Sequence, residues 1–163
     1  MFRSASGKET NMDEIASRIT EYLMEDTDAQ YEITVGTDSQ NFRVTKMVEV
    51  IAVHRVGRGG IFFTNIDYIP LIRNLRQKIN EETSRSLRVA NELLDALEIP
   101  LFEKGYFIED FDVSFQIHCD IGNEGKTSVL IKEIVSWVTS QGYVCLIKPD
   151  SYAASGIADK YSK

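Results

Sequence analysis

The chain lacks the features typical of membrane, secreted and thiolate-metal proteins. No apolar run in its 163 residues approaches the roughly 18 to 20 residues that span a bilayer, and residues 1–14 lack the apolar segment of a signal peptide. The 2 cysteines, Cys119 and Cys145, are not in a CxxC spacing, which argues against a disulfide framework or a zinc site. We therefore expect a cytoplasmic protein with reduced core thiols and no membrane partner.

Basic residues are also scarce. Lys and Arg number 18 against 25 Asp and Glu, for a net charge of -7, which argues against a protein that coats nucleic acid through bulk electrostatics. A nuclease remains compatible, because an active site that gathers carboxylates for divalent cations adds negative charge locally. The length favours a single domain, divided into an N-terminal tail and helix (1–30) and a main domain (31–163).

The hydrophobic pattern predicts an α/β protein. Polar residues 1–11 predict a frayed terminus, and Asn11 or Asp13 is a candidate cap of the first helix. Short turns join three strands, which we therefore expect to be antiparallel neighbours. The predicted elements are a helix at 12–27, strands at 31–38, 45–54 and 61–67, a long helix from Pro70 to Leu97 ended by Pro100, a strand at 111–120, a helix at 127–140, a strand at 143–148 and a final short helix.

Two predicted strands end in aspartate. Asp38 follows an apolar β-branched run, and Asp120 ends the alternating sequence FDVSFQIHCD. If these strands are adjacent and parallel, the two carboxylates lie side by side, and a cation between them would relieve their repulsion. Oxygen ligands favour Mg²⁺ or Mn²⁺, as one or two ions. The alternatives are a turn residue for Asp38 and a turn or helix cap for Asp120.

A third carboxylate interrupts the apolar stripe of the long helix. Continuing the stripe from Ile79 to Ala90 at helical spacing passes through Glu82 and Ser86, where the pattern calls for hydrophobic residues. The stripe therefore places the Glu82 carboxylate on the buried face of the helix, with a solvated helix residue as the alternative. Glu81 should face elsewhere.

The sequences GTDSQ (36–40), HCDIGNEGKT (118–127) and IKPDSYAASGIADKYSK (147–163) resemble the bacterial YkuK family, which is described as ribonuclease H-like. The resemblance implies a five-stranded mixed sheet of order 3-2-1-4-5, with three antiparallel strands followed by two parallel ones, flanked by helices. It also implies a carboxylate site formed by Asp38, Glu82 and Asp120, with Asp159 near the last helix as a fourth ligand. The alternative for Asp159 is a surface residue.

Other polar residues near these positions are candidates for supporting roles. His118 shares the strand face of Asp120 and is a candidate for orienting a ligand or moving a proton, unless it is an ordinary strand histidine. Lys126 and Lys148 are weaker candidates for contacting a substrate phosphate. A basic face formed by Arg55, Arg58, Arg73, Arg76, Arg85 and Arg88 is the candidate for gripping nucleic acid, unless these arginines pair with nearby glutamates.

Two functional hypotheses follow from the sequence. The first is a metal-dependent hydrolase that cleaves phosphodiester bonds of nucleic acid, with Asp38, Glu82, Asp120, Asp159 and His118 in its active site. The second is a non-catalytic ribonuclease H-like module that binds nucleic acid or a protein partner, which the acidic charge and weak basic face favour.

Overall fold

The computed structural model describes residues 1–122 and 129–148, which form one mixed seven-stranded sheet and three α-helices. The strands are β1 (Phe2–Ser4), β2 (Glu9–Thr10), β3 (Gln30–Asn41), β4 (Thr45–Arg55), β5 (Gly60–Ile69), β6 (Asp112–His118) and β7 (Val144–Leu146). The helices are α1 (Met12–Glu25), α2 (Leu75–Glu103) and α3 (Ile131–Ser140), with a short 3₁₀ helix at Ile108–Asp110.

The strands lie in the order β2-β1-β5-β4-β3-β6-β7. β6 is parallel to both of its neighbours, β3 and β7, and the other pairs are antiparallel. The sheet contains two strands, β1 and β2, beyond the five that were predicted. The prediction of a frayed N-terminus was wrong, because Arg3 of β1 pairs with Thr64 of β5. A short strand that forms through such a distant partner leaves little local pattern in the sequence.

The central strand β3 organises the core. Tyr31, Ile33 and Val35 alternate along it and are fully buried in the same hydrophobic cluster as Ile15 and Ile19 of α1. Their β-branched and aromatic side chains suit a pleated, buried face. β3 continues to Asn41, beyond the predicted end at residue 38, so Asp38 lies within the strand.

Polar side chains fix both ends of α1. Asn11 is the N-cap, as one of the two predicted candidates, and its side chain accepts a hydrogen bond from the Glu14 amide at 2.9 Å. Beyond the C-terminus, the Tyr31 hydroxyl donates to the Asp26 carbonyl at 2.8 Å. These bonds satisfy backbone groups that the helix leaves without intrahelical partners.

Both predicted ends of α2 were wrong. The helix begins at Leu75, not Pro70, with the Asn74 side chain accepting from the Gln77 amide at 3.0 Å. The preceding Ile72 amide instead donates to Thr45 Oγ1 at 2.8 Å. Pro100 lies inside the last turn of α2, where buried Leu101, 1% exposed, packs into the core and offsets the loss of one helical hydrogen bond.

The parallel part of the sheet is shorter than predicted. β6 ends at His118, two residues before Asp120, and β7 covers only Val144–Leu146. α3 ends at Ser140, as predicted. Four predictions fall outside the described residues: the start of α3 at residue 127, the final helix, Lys126 and Asp159.

Candidate functional site

Two aspartates lie at the same end of neighbouring parallel strands. β3 and β6 pair with Gly36 opposite His118, and Asp38 and Asp120 each follow two residues later. Pairing between β3 and β6 stops at this point, while β3 continues beside β4. Asp38 therefore projects where the sheet opens next to the chain that leaves β6. Both carboxylates are partly exposed.

Glu82 approaches the same region from α2. Its residue is 7% exposed, and the Ser39 hydroxyl donates a hydrogen bond to its Oε2. One helical turn later, the hydroxyls of Ser86 and Thr37 lie 2.8 Å apart. The prediction that Glu82 and Ser86 continue the buried stripe is confirmed. Since side chains alternate along β3, Thr37 and Ser39 face α2, whereas Asp38 points to the opposite face.

The charge state of Glu82 is unusual. Burial raises its pKa from the ordinary value of 4.5 to about 8. The Ser39 hydrogen bond lowers the pKa, and the negative charges of Asp38 and Asp120 both raise it. Glu82 is therefore largely protonated near neutral pH, and it lies within electrostatic range of both aspartates.

The donor set partly fits a divalent cation. Carboxylate oxygens are the ligands that Mg²⁺ and Mn²⁺ prefer, and Asp38 and Asp120 are the two groups placed to supply them. Glu82 would first have to lose its proton. Over residues 1–122 and 129–148, no three or more His, Cys, Asp or Glu side chains are grouped closely enough to hold an ion. The Lys148 ammonium lies 2.6 Å from Asp120 Oδ1.

A polar chain on the sheet holds His118. Gln116 Nε2 donates to Glu32 Oε2 at 3.2 Å and to Ser114 Oγ at 3.1 Å. Because the Glu32 carboxylate only accepts, the Gln116 amide nitrogen must face it, which leaves the amide oxygen 3.3 Å from His118 Nε2. That oxygen also only accepts, so His118 Nε2 carries a proton. In neutral His118, Nδ1 is then the acceptor nitrogen.

Glu32 anchors the other end of this chain. His54 Nδ1 lies 3.2 Å from Glu32 Oε1, and this hydrogen bond lowers the Glu32 pKa, with a smaller contribution from Gln116. The sequence pattern placed His118 on the strand face of Asp120 but did not identify Glu32 as part of this chain of hydrogen bonds. The signal was available in principle, because Glu32 shares its strand face with Asp38.

The space enclosed beside the candidate carboxylates is small. A cavity of about 10 Å³, lined in part by Glu82, His118 and Asp120, lies between α2 and the end of β6. Pockets that enclose small ligands are usually about 300 to 1,000 Å³. A substrate of these carboxylates would therefore approach across the open surface.

The predicted basic face does not form as a free cationic surface. Arg85 and Arg55 are largely buried, with 9% and 12% of their side chains exposed, and Arg85 Nε donates to Glu81 at 2.8 Å, the glutamate pairing that we considered as the alternative. Arg76 pairs with Glu133 at 2.5 Å. Ion pairs also engage Arg58 and Arg88. The ion pairs of these arginines reduce the positive charge that the predicted face offers to phosphate.

A buried ionic cluster on the α2 side of the sheet was not predicted. Glu49 of β4 has 3% of its side chain exposed and lies 3.3 Å from Arg85 Nη1, which also contacts Asp67 at 3.0 Å. The Asn65 side-chain amide donates to Glu49 Oε1 at 3.0 Å. A glutamate amid the apolar sequence VEVIAV was the available signal, since such a residue requires a buried partner.

The cysteines are free, as expected. Their sulfur atoms lie 3.9 Å apart on β7 and just beyond β6. The hydrogen bond with Cys145 and burial both raise the pKa of Cys119, whereas the same hydrogen bond lowers the pKa of Cys145. The more exposed Cys145 is therefore the more acidic thiol.

Comparison with known proteins identifies the family. The profile described as Ribonuclease H-like matches residues 14–163. The chain belongs to the ribonuclease H-like family. It is also 33% identical over 168 aligned residues to the uncharacterized protein YkuK of Bacillus subtilis (strain 168), covering 100% of this chain and 97% of that protein. No solved structure matches the chain.

Membership of this family agrees with the mixed sheet and with the resemblance in the sequence motifs. The matched relative is uncharacterized, so its name carries no activity to this chain. Across the described parts of the chain, no helix has both the length and the apolar character needed to cross a membrane.

Proposed function

We propose that this protein is a divalent-metal-dependent hydrolase that cleaves phosphodiester bonds of nucleic acid. The observation that carries the proposal is that Asp38 and Asp120 each lie two residues beyond the paired residues Gly36 and His118, at the same end of neighbouring parallel strands. Glu82 reaches this end of the strand pair from the α2 face, opposite the face of Asp38, and lies within electrostatic range of both aspartates. Membership of the ribonuclease H-like family supports this function without specifying it.

Asp38 and Asp120 are the proposed principal ligands of Mg²⁺ or Mn²⁺. When bound, such an ion acts as a Lewis acid that activates water and stabilises the leaving oxygen of a phosphodiester. Glu82 is the proposed third ligand, because positive charge nearby favours its ionised form and opposes the effect of burial. Asp159 stays the predicted fourth ligand.

The surrounding residues have roles that follow from their contacts. Gln116 holds the His118 ring through Nε2, and His118 is proposed to orient a ligand or to move a proton, as the sequence predicted. Lys148 neutralises Asp120 through its 2.6 Å contact. Once Asp120 is engaged elsewhere, the Lys148 ammonium is placed to contact a substrate phosphate, and Lys126 is proposed for the same role.

A cleavage assay with fluorescent RNA, DNA and hybrid oligonucleotides tests this function. We expect cleavage with Mn²⁺ or Mg²⁺, none with EDTA, and at least about a hundredfold loss in Asp38→Asn and Asp120→Asn. Asp112→Asn is the matched control, since exposed Asp112 begins the strand that Asp120 follows. Full activity in Asp38→Asn, with the same metal dependence, would refute the proposed site.

A non-catalytic binding module is the second candidate function. The absence of a compact metal-holding group within the described ranges favours it, as does the net charge of -7. This candidate predicts no cleavage with any metal or substrate, together with oligonucleotide or protein binding that survives EDTA.

A further inference from the structure

A groove with exposed aromatic residues lies far from the candidate carboxylates. It runs between the last third of α2 and the 3₁₀ helix, and its volume is about 590 Å³. This volume is within the range of sites that hold a ligand or an anchoring side chain. The groove adjoins the start of β6, whereas Asp120 follows its end. Seven residues of strand separate the two regions by roughly 23 Å.

Large apolar side chains line this groove and are exposed to solvent. Ile99 is 69% exposed, Phe102 is 67% exposed and Phe107 is 61% exposed. The Phe102 and Phe107 rings lie 6.0 Å apart. Ile99 and Phe102 form a second apolar surface of α2, which Phe107 extends from the segment after the helix. Leu97 and Leu101, each 1% exposed, already face the core. Exposed apolar clusters with a polar rim are typical of protein docking sites.

The rim of the groove is acidic. Asp95, Glu98 and Glu109 line it, and its described lining contains neither Lys nor Arg. Residues 91–112 contain the acids Glu92, Asp95, Glu98, Glu103, Glu109, Asp110 and Asp112 against a single base, Lys104. A partner seated on these aromatic residues would therefore lie in a negative field, which favours positively charged side chains around its apolar anchors.

One acidic residue also positions an aromatic ring. Asp110 Oδ2 accepts a hydrogen bond from the Phe107 amide at 2.8 Å, which ties the backbone of Phe107 to the 3₁₀ helix. The ring is thus presented by a hydrogen-bonded turn, so less conformational entropy is lost when a partner binds.

We propose that this acidic groove, centred on Ile99, Phe102 and Phe107, docks a basic amphipathic segment of a partner protein. The segment carries at least two large apolar side chains that pack on the aromatic residues, with Lys or Arg facing the acidic rim. Nucleic acid does not fit, because its phosphates would meet carboxylates. A second copy of this chain is disfavoured by its net charge of -7. The proposal is independent of the proposed hydrolase function.

Selection from a random peptide library displayed on phage tests the proposal with the full-length protein. Binders are selected on the wild type and counter-selected on Phe102→Ser, a change at an exposed position that should preserve the fold. We expect enriched peptides with a net positive charge and spaced large apolar residues. Enrichment of neutral or acidic peptides, or no enrichment over the counter-selection, would overturn the proposal.

Affinities of a labelled enriched peptide, measured by fluorescence anisotropy, separate the two components of the surface. Phe102→Ser should weaken binding of the peptide by about tenfold or more. The double variant Asp95→Asn, Glu98→Gln should weaken it by about threefold, and high salt should weaken peptide binding to the wild type by a similar factor. Phe42→Ser is the matched control, since Phe42 is 55% exposed but lies at the end of the hairpin between β3 and β4. Equal affinity in Phe102→Ser would overturn the proposal.

Light scattering over a concentration series examines self-association. We expect a monomer for both the wild type and Phe102→Ser. A wild-type dimer that Phe102→Ser dissociates would overturn the basic-partner proposal and identify the groove as a contact between copies. Circular dichroism spectra of all variants should match, which separates loss of binding from loss of fold.

Discussion

The Ser39 hydroxyl donates a hydrogen bond to Glu82 Oε2, joining the central strand to the long helix beside the candidate carboxylates. The two residues are 43 positions apart in the sequence. This contact holds the Glu82 carboxyl on the α2 side of β3, while Asp38 projects from the other side. Ser39 thus stabilises the Glu82 carboxyl on the α2 side of β3, without bringing it onto the face from which Asp38 projects.

Glu82 should make stability depend on pH in the presence of EDTA. Its pKa is about 8 when folded, against 4.5 for the model compound, so the folded chain binds more protons between these values. The free energy of unfolding should therefore fall as pH rises from about 4.5 to about 8, and level off above that range. Urea unfolding at a series of pH values measures this slope.

Glu82→Gln is the matched variant, because its amide oxygen can still accept from Ser39. Its stability should equal that of the wild type below about pH 4.5 and exceed it above pH 8, by on the order of 5 kcal/mol. Parallel pH profiles for the two proteins would show that Glu82 is not the buried acid described here.

Gln116→Leu should impair catalysis without abolishing metal binding. The variant removes the acceptor of His118 Nε2 and leaves the ring without its anchor, so kcat should fall by about tenfold while KM changes by less than about twofold. Exposed Gln77→Leu on α2 is the control and should keep wild-type kcat. An unchanged kcat in Gln116→Leu would exclude the positioning role.

Arg85→Met should destabilise the fold by about 3 kcal/mol, because it leaves the buried Glu49 carboxylate with less positive charge around it. Adding Glu49→Gln should recover part of that loss. Arg76→Met, which breaks the exposed ion pair with Glu133, should cost less than about 1 kcal/mol. Equal losses in the two single variants, measured by urea unfolding, would contradict the assigned difference in burial.

Lys148→Met should strengthen Mn²⁺ binding by about threefold to tenfold, since the ammonium that contacts Asp120 competes with a cation for the same oxygens. Exposed Lys104→Met should bind Mn²⁺ like the wild type. If phosphate contact is also a role of Lys148, KM for the oligonucleotide should rise in the same variant. Weaker Mn²⁺ binding in Lys148→Met would refute the competition.

Local patterns in the sequence predicted the elements whose stability depends on nearby residues. The apolar alternation of β3 and β6 and the Asn11 cap are examples, as is the buried position of Glu82. β1 depends on pairing with β5, and the start of α2 depends on contacts between Ile72 and Thr45. Contacts between residues distant in sequence produce no periodic pattern, so neither β1 nor the start of α2 could be predicted.

The candidate site shows the same limit. Strand parity predicts that Asp38 lies near Asp120, and the register of β3 and β6 brings both residues to the same end of the strand pair. It was not sufficient for Glu32 or Lys148, whose partners Gln116 and Asp120 are distant in sequence. The basic face was predicted incorrectly for a related reason, since the ion pairs of its arginines depend on tertiary packing.

Isothermal titration of the protein with Mn²⁺ tests the central claim most directly. The wild type and Asp112→Asn should bind with equal affinity, and Asp38→Asn and Asp120→Asn should each weaken binding by at least about tenfold. Retained wild-type affinity in both Asp38→Asn and Asp120→Asn, or no Mn²⁺ binding by the wild type at millimolar concentration, would contradict the claim that these aspartates form a metal site.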